Sequence, residues 1–302
     1  MTISAQKDNI EDNKLRILVT GAYGQLGHEL REAFEAAGIT SVVYVDRDVL
    51  DLTDGDSVRN FMASERFTHI VNCAAYTAVD KAEAEADVCR GVNVAGVKNI
   101  VDAIKGSGTK LIHISTDFVF DGKKRSPYTE ADATGPLSVY GQTKLESERY
   151  VVENLPSDGI VLRTSWLYSS HGHNFVKTIL RRALSGQPLR VVDDQTGTPT
   201  YAADLAEAIL SIILSEKTTA GLFHFSNIGE TTWYGFACEI LKAANLSAEI
   251  SPCSTSEYVT AAVRPAYSVL DKSKIIDTYN LSIPEWRRSL ARCMEKIDLK
   301  AL

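Results

Sequence analysis

The sequence lacks three features that would place it in other protein classes. It contains no run of 18 apolar residues, so no segment is predicted to cross a membrane. It has no basic excess: 32 lysines and arginines against 39 aspartates and glutamates give a net charge of -7, which argues against a nucleic-acid-binding protein. Its five cysteines form no C-x-x-C pair, and we expect free thiols in a reducing cytoplasm.

Two local stretches also lack what a targeting signal or a metal site would need. Residues 1–14 are polar and have no apolar core segment, so we expect a disordered leader there rather than a secretory signal. His171 and His173, in HGHNF, have no carboxylate or cysteine at ligand spacing beside them along the chain. We therefore interpret both as loop histidines and assign no metal ligand.

The first half of the chain alternates short apolar runs with helix-like stretches. The runs RILV (16–19), SVVYVD (41–46), HIVNCA (69–74), KLIHIST (110–116) and GIVLRTS (159–165) are rich in β-branched residues and lack strict in/out alternation. Parallel strands that are covered by helices on both faces have this composition. The pattern predicts an α/β fold, a Rossmann-type doubly wound parallel sheet.

The alternation loosens after residue 165. We expect a dinucleotide-binding domain over residues 15–165 and a smaller, interleaved C-terminal domain, mainly for substrate binding, over 166–302. Later segments are expected to return to the first domain, because no linker separates the two. A helical region from about 82 to 105 and a further strand at 189–192 complete the predicted elements.

The stretch VTGAYGQLG follows the first strand and opens a helix, which is the setting of a phosphate-binding turn. Gly21, Gly24 and Gly27 have G-x-x-G-x-x-G spacing. Glycine lets the backbone turn sharply and approach a pyrophosphate, and the helix N-terminus supplies free N–H groups and the positive end of a dipole. The stretch predicts dinucleotide binding.

The end of the second strand bears on the choice of dinucleotide. Asp46 can accept hydrogen bonds from both adenosine ribose hydroxyls, which favours NAD. Arg47 follows it and can pair with a 2′-phosphate, which favours NADP. The two residues point in opposite directions, and both NADH and NADPH stay open.

The stretch VYGQTK places Tyr140 four positions before Lys144, on one face of a predicted helix with Ser138 as its N-cap. A ketone that receives a hydride needs a proton donor, and an ammonium beside a tyrosine lowers the pKa of its hydroxyl. Thr116 ends the preceding strand, where ligands bind in such folds. We interpret Thr116, Tyr140 and Lys144 as a catalytic set.

These residues belong to stretches that together resemble one family. The sequence resembles the extended short-chain dehydrogenases and, among them, most closely the dTDP-4-dehydrorhamnose reductases, from about residue 15 to 297. The matching stretches are GAYGQLG, DLTD, VNCAAYTAVDKAE, ISTDFVFDG, YGQTKLESE, LRTSWLY, NFVKTILR, DDQTGTPT and RPAYSVLD. Such enzymes use NAD(P)H to reduce the 4-keto group of dTDP-4-dehydro-L-rhamnose, giving dTDP-L-rhamnose for cell-surface polysaccharides.

The resemblance implies a site residue by residue. The implied cofactor-binding residues, besides Asp46, Arg47, Tyr140 and Lys144, are Gly21, Gly24, Gln25, Leu26, Gly27, Asp51, Leu52, Ala74, Ala75 and Thr77. The implied substrate-binding residues, besides Thr116, are Val79, Trp166, Asn174, Gln195 and Arg264. For three of these the plain alternatives stay open: Trp166 as a core residue, Gln195 as part of a polar loop and Arg264 as a surface residue.

Some members of the family dimerise around magnesium, and Glu29 matches one acidic position used there. The resemblance leaves a homodimer with magnesium at its interface open, but the other ligands have no match in this sequence, so no metal ligand is assigned. Cys73 and Phe118 stand where alanine and tyrosine are usual, and we expect neither to disturb the chemistry.

Two other functions stay open at this point. One is another sugar-nucleotide ketoreductase, or an epimerase or dehydratase, of the same superfamily. Dehydratases carry Asp-Glu directly after the threonine, whereas here Asp117 is followed by Phe118, which cannot act as an acid. The other is a non-catalytic NADP-binding regulatory subunit that resembles the β subunit of methionine adenosyltransferase.

Overall fold

The computed structural model describes residues 15–216 and 219–302. The leader expected at 1–14 lies outside the described residues. The strands are β1 Ile17–Thr20, β2 Val42–Val45, β3 His69–Asn72, β4 Lys110–Thr116, β5 Gly159–Thr164, β6 Leu167–Tyr168, β7 Leu189–Val192, β8 Thr196–Gly197, β9 Thr200–Tyr201, β10 Gly221–His224, β11 Thr231–Thr232 and β12 Ile250–Cys253. The α-helices are α1 Gln25–Ala36, α2 Gly55–Ser64, α3 Val79–Ala82, α4 Ala86–Arg90, α5 Gly96–Ile104, α6 Val139–Asn154, α7 Phe175–Leu184, α8 Ala202–Ile213, α9 Trp233–Ala243, α10 Ser273–Tyr279 and α11 Trp286–Glu295.

Six parallel strands form the central sheet in the order β10-β5-β4-β3-β1-β2. Successive residues of β1 face opposite sides. Ile17 and Val19 pack with α1 and α8, whereas Leu18 packs with α2, α5 and α6. Helices therefore bury both faces of the sheet, which explains why its strands read as continuous apolar runs. The doubly wound α/β prediction is confirmed.

The second lobe has its own core. Helices α7, α9 and α11 enclose large side chains, among them Tyr168, Phe236 and Trp286, each at most 1% exposed. Two short strands, β7 and β12, pair in parallel outside the central sheet. The strand at 189–192 has its expected bounds but belongs to this lobe, while β10 joins β5 in the main sheet. The chain thus crosses between the lobes more than once.

The helical region expected over residues 82–105 is not continuous. It comprises α3, α4 and α5, with a π-helical turn at Gly91–Ala95 between the last two. The break after α3 is at Glu85, whose backbone (φ -116°, ψ 41°) is not helical. Because of this break, α3 is a separate short helix, and its residues 79 and 80 line the cavity described below.

The structure also bears on the cysteines and on membrane-spanning segments. Cys73, Cys89, Cys238, Cys253 and Cys293 are all free thiols. Among the described ranges, no helix combines the length and apolar character that a bilayer crossing requires.

Candidate active site

A cavity of about 960 Å³ opens at the carboxyl edge of the central sheet. Residues at or just after the ends of four strands line it: Thr20, Ala74, Thr116 and Ser165. Because all the strands run in the same direction, their ends meet along one edge, which is where ligands bind in open α/β sheets.

The glycine turn forms one wall of this cavity. Gly21 has φ +65°, and a Cβ there would lie 2.7 Å from the backbone nitrogen of Ala74, so only glycine fits. Gly24 is the N-cap of α1 and provides no side-chain cap, which leaves the first N–H groups of the helix open toward the cavity. An uncapped helix N-terminus beside a tight glycine turn suits a pyrophosphate.

Three charged residues lie at one end of the same cavity. The Asp46 carboxylate accepts from the backbone N–H groups of Tyr23 (3.1 Å) and Arg47 (2.8 Å). The Arg47 side chain is 79% exposed and contacts Asp51 at 3.4 Å. Thr53 donates to Asp51, which lowers the pKa of that carboxyl. A carboxylate acceptor and a guanidinium therefore lie next to each other at this end of the cavity.

The catalytic set converges on the floor of the cavity. Ser138 caps α6 by accepting from the N–H of Gly141 at 3.2 Å, as its sequence position predicts. The cap places Tyr140 in the first turn of α6, where it lines the cavity together with Thr116. The ring of Phe118 packs edge-on against Tyr140, with 5.7 Å between centroids. This contact uses only the ring, so phenylalanine at position 118 makes it without the hydroxyl of the tyrosine that is usual there.

The electrostatics of Tyr140 differ from the expectation. Burial, the largest cause, raises the pKa of its hydroxyl, and the nearby Thr116 hydroxyl opposes that rise only in part. The sequence predicts that the Lys144 ammonium, one helical turn away, lowers the pKa of Tyr140, but in this structure burial outweighs any such lowering. A raised pKa keeps the hydroxyl protonated, which is the state that a proton donor needs.

Lys144 is only 1% exposed, which is unusual for a lysine. Burial lowers its pKa to about 8, and the nearby Glu148 carboxylate opposes that shift. Its Nζ lies 3.4 Å from Nε2 of His113. A buried ammonium of this kind is poised to donate to groups that enter the cavity.

A strained tryptophan forms the opposite wall. Trp166 has φ +45°, a left-handed conformation that costs a bulky residue about 1–3 kcal/mol. Its indole stacks on Trp233 with centroids 3.6 Å apart and planes 8° from parallel. A Cβ at Gly197 would lie 2.5 Å from the Trp166 ring, so the missing side chain makes room for the indole. Aromatic packing stabilises the strained backbone and fixes Trp166 at the cavity.

An arginine fork also faces the cavity. Both Asp80 and Arg264 line it, and their side chains form two hydrogen bonds, of 3.1 and 2.7 Å. Asp80 also accepts from the N–H of Ala262 at 3.1 Å, and the arginine lowers the pKa of the aspartate. The pair holds a guanidinium at the rim, in a geometry that suits phosphate or carboxylate groups.

Two of the expected site residues do not line the cavity, and a third is already engaged. Gly27 packs against the glycine turn, where a Cβ would lie 2.5 Å from the carbonyl oxygen of Ala22, so its role is close packing. Gln195 is buried and donates to Thr255 at 3.0 Å. Asn174 lines the cavity, but its amide donates to Gln25 (3.0 Å) and its oxygen caps α7. Neither Gln195 nor Asn174 has a free group directed at a diphosphate.

The loop histidine His171 has acidic neighbours that sequence spacing did not reveal. Folding brings Glu29 and Glu32 from α1 beside it, with one ligand atom from each of the three residues within 4.8 Å of the others. The Lys296 ammonium lies 2.6 Å from Glu32 and 3.7 Å from Glu29, and Ser169 donates to Glu29. The lysine offsets one of the two carboxylate charges and contacts both groups, so this cluster forms an ion-paired contact between the C-terminal helix α11 and α1, and a divalent cation would have to displace the ammonium.

Sequence reasoning missed several residues of the site. Asp117 is buried, with one carboxylate oxygen that has no partner among the described residues, and burial raises its pKa to about 6. Its position directly after Thr116 was a usable signal. Trp233, Asp80 and His113 carried none, because their partners lie far away along the chain.

Comparison with known proteins adds a family to this geometry. The family model described as "RmlD substrate binding domain" matches residues 15–299. A dTDP-4-dehydrorhamnose reductase of Streptomyces griseus is 40% identical over 279 residues, which cover 91% of each chain. A Streptomyces niveus protein named dTDP-4-keto-6-deoxy-D-glucose reductase is 36% identical and covers 94% of this chain and 98% of its own.

A solved structure matches the fold closely as well. The dTDP-4-dehydrorhamnose reductase of Bacillus anthracis, crystallised in complex with NADP, superposes with a TM-score of 0.89 at 37% identity. The match covers 94% of this chain and 99% of that one. The match therefore includes both lobes and the cavity between them.

Proposed function

This chain belongs to the RmlD substrate binding domain family, and on that premise we propose that it is an NAD(P)H-dependent dTDP-4-dehydrorhamnose reductase. It would reduce the 4-keto group of dTDP-4-dehydro-L-rhamnose to give dTDP-L-rhamnose, a precursor of cell-surface polysaccharides. The observation that carries the proposal is the convergence of Thr116, Tyr140 and Lys144 in a cavity that also contains an uncapped glycine-turn helix.

Thr116, Tyr140 and Lys144 divide the tasks of this reaction among them. Bound in the cavity, a reduced nicotinamide would be the source of the hydride for the carbonyl carbon. Tyr140 gives its proton to the carbonyl oxygen as negative charge develops there, and Thr116 donates to the same oxygen. Lys144 donates to ribose hydroxyls and stabilises the phenolate that remains on Tyr140 after the transfer.

The substrate end of the cavity fits a nucleotide sugar. Val79 and Trp166 line it beside Tyr140, and an apolar surface of this kind suits the face of a sugar ring. The guanidinium of Arg264 lies at the rim, where a diphosphate can share it with Asp80.

A second candidate is reduction of a different 4-keto sugar nucleotide, which the Streptomyces niveus relative favours by its name. Dehydration is less well supported, because the Phe118 ring offers no acid after Asp117. A purely regulatory role, as in the methionine adenosyltransferase β subunit, would still use the buried Lys144 to bind a cofactor, but it would leave the Tyr140 hydroxyl in the same cavity without a use.

The direct test supplies enzymatically prepared dTDP-4-dehydro-L-rhamnose with NADPH or NADH and follows the absorbance of reduced nicotinamide. The proposal expects one equivalent of cofactor to be oxidised per equivalent of dTDP-L-rhamnose formed. The same assay with dTDP-4-keto-6-deoxy-D-glucose tests the second candidate. Turnover with tightly bound, recycled NAD and no net oxidation would instead identify an epimerase or dehydratase.

Replacing Gly197 by alanine should disturb the sugar wall selectively. The added Cβ would meet the Trp166 indole at 2.5 Å, and overpacking of this kind costs about 1–3 kcal/mol. We expect KM for the nucleotide sugar to rise about tenfold, with NADP affinity unchanged. Gly91→Ala is the matched control, because its Cβ would have no neighbour nearer than 4.0 Å. An unchanged KM in Gly197→Ala would contradict a substrate role for Trp166.

Three finer expectations accompany the proposal. We expect a cytoplasmic enzyme that acts on a small-molecule nucleotide sugar, and a homodimer that light scattering would detect in solution. Magnesium is left out of the proposal, because the Lys296 ammonium already contacts both Glu29 and Glu32.

A further inference from the structure

A line of buried polar side chains runs beneath the cavity from the strand of the glycine turn to the catalytic helix. It consists of Thr20 on β1, Asn72 on β3, His113 on β4 and Ser147 on α6, and it ends at the backbone carbonyl of Lys144. Each of these side chains is at most 1% exposed. Water does not reach them, so each donor and acceptor must be satisfied within the line.

The orientation of the Asn72 amide fixes the direction of this line. The backbone N–H of Ala74 donates to Oδ1 of Asn72 at 3.2 Å, and the Thr20 hydroxyl donates to the same oxygen at 2.7 Å. A backbone N–H can only donate, so the amide cannot be turned around. Its Nδ2, which also can only donate, lies 3.2 Å from Nδ1 of His113.

Nδ1 of His113 must therefore accept, and the proton of the neutral ring must be on Nε2. Nε2 lies 3.1 Å from Oγ of Ser147. Because the Ser147 hydroxyl donates its own proton to the carbonyl oxygen of Lys144 at 2.8 Å, it can accept from Nε2–H. Complete burial lowers the pKa of His113 well below its usual range and keeps the ring neutral. Every hydrogen bond of the line then points toward α6.

This tautomer decides what Lys144 can do. Its Nζ lies 3.4 Å from Nε2 of His113, but an N–H is on that nitrogen and cannot accept from an ammonium. We infer that His113 is a positioning residue of the reductase, held by Asn72 as the Nε2–H tautomer so that the Lys144 ammonium donates to the cofactor instead of to the imidazole.

Other groups face Lys144 as well. Glu148 lies on its own helix, Cys73 follows β3, and Cys89 is on α4. Glu148 is paired with Arg163 at 2.7 Å and lies within the same buried layer. Of the uncharged neighbours, His113 is the one whose ring nitrogen can be either a donor or an acceptor. Its tautomer therefore decides whether the Lys144 ammonium can donate to it.

The change Asn72→Asp tests the inference by reversing the line. A carboxylate still accepts from Thr20 and Ala74, but its second oxygen would accept from Nδ1–H of His113. Nε2 would then be an acceptor and would capture the Lys144 ammonium. We expect NADP⁺ to bind about tenfold more weakly near pH 7, and the decline of affinity at alkaline pH to move to higher pH.

The experiment measures NADP⁺ affinity by calorimetry across pH for wild type, Asn72→Asp, Lys144→Met and the double variant. Long-range ¹H–¹⁵N spectra of the wild type report the His113 tautomer without any variant. We expect Nε2–H in the wild type, and we expect the Asn72→Asp penalty to vanish in the Lys144→Met background.

The result that overturns the inference is a wild-type His113 protonated on Nδ1, or on both nitrogens, or an Asn72→Asp penalty that persists when Lys144 is absent. The inference rests on the proposed function only through cofactor binding. A wild type that binds no NADP⁺ would contradict that function, whereas normal wild-type binding with an unaffected Asn72→Asp would contradict the role of His113.

Discussion

Tyr140→Phe should lower kcat about 10³-fold while leaving NADP affinity near that of the wild type. The change removes one oxygen atom, the proton donor for the developing alkoxide, and general acid catalysis by a positioned side chain contributes about 10²–10⁴-fold. The ring stays in place because Phe118 still packs edge-on against it. The loss should appear in kcat, because the hydroxyl acts mainly in the transition state.

Tyr150→Phe provides the matched control for this variant. Tyr150 lies on the same helix, but its hydroxyl donates to Asp102 at 2.6 Å, away from the cavity. Its loss should leave turnover unchanged. Steady-state kinetics and NADP⁺ calorimetry on both variants check the prediction. A Tyr140→Phe enzyme with near-normal kcat would remove the tyrosine from the mechanism.

Lys144→Met should weaken both cofactor binding and turnover. A charge-assisted hydrogen bond contributes about 1.5–3 kcal/mol, so we expect NADP to bind about 10–100-fold more weakly. Turnover should fall further, because the phenolate left on Tyr140 loses the ammonium one helical turn away on α6. Methionine keeps the length of the buried stem, which limits the packing defect at this 1% exposed position.

The pH dependence separates charge from packing in this variant. The pKa of Lys144 is lowered to about 8, so the binding-competent ammonium is present below pH 8 and is lost as the pH rises through it. NADP affinity of the wild type should therefore decline above about pH 8, while that of Lys144→Met should be flat. Lys98→Met, a half-exposed lysine on α5 that contacts Glu146, should behave as the wild type. Equal affinities and rates in Lys144→Met and the wild type would disprove the assigned role.

Local signals in the sequence predicted the parts of the fold that depend on nearby residues. The strand at 110–116 has its predicted bounds, and Ser138 caps α6 as expected. Strand composition and helix caps act within a few residues, so a sequence reveals them directly. The strand at 189–192 shows the limit: its bounds were predicted, but its partner β12 lies some sixty residues later and outside the main sheet.

The residues of the site also fall into those that local sequence signals reveal and those that depend on distant partners. Thr116, Tyr140 and Lys144 lie on adjacent elements and could be recognised from strand-end and helix-face positions. Asp80 and Arg264 are 184 positions apart, and only the second lobe brings them together. The strained backbone of Trp166 is tolerated because Gly197 has no side chain in the way of the indole and because the indole stacks on Trp233. Such contacts arise from packing and leave no periodic signal.

The central claim is hydride transfer to a sugar ketone with Tyr140 as the proton donor. The most direct measurement supplies the ketone and NADPH deuterated at the transferable position of its nicotinamide, and determines the mass of the sugar product. The account predicts that one deuterium is bound to carbon 4 of the product for each cofactor oxidised, and that Tyr140→Phe forms this product at a small fraction of the wild-type rate. A product without deuterium, or conversion without cofactor oxidation, would contradict it.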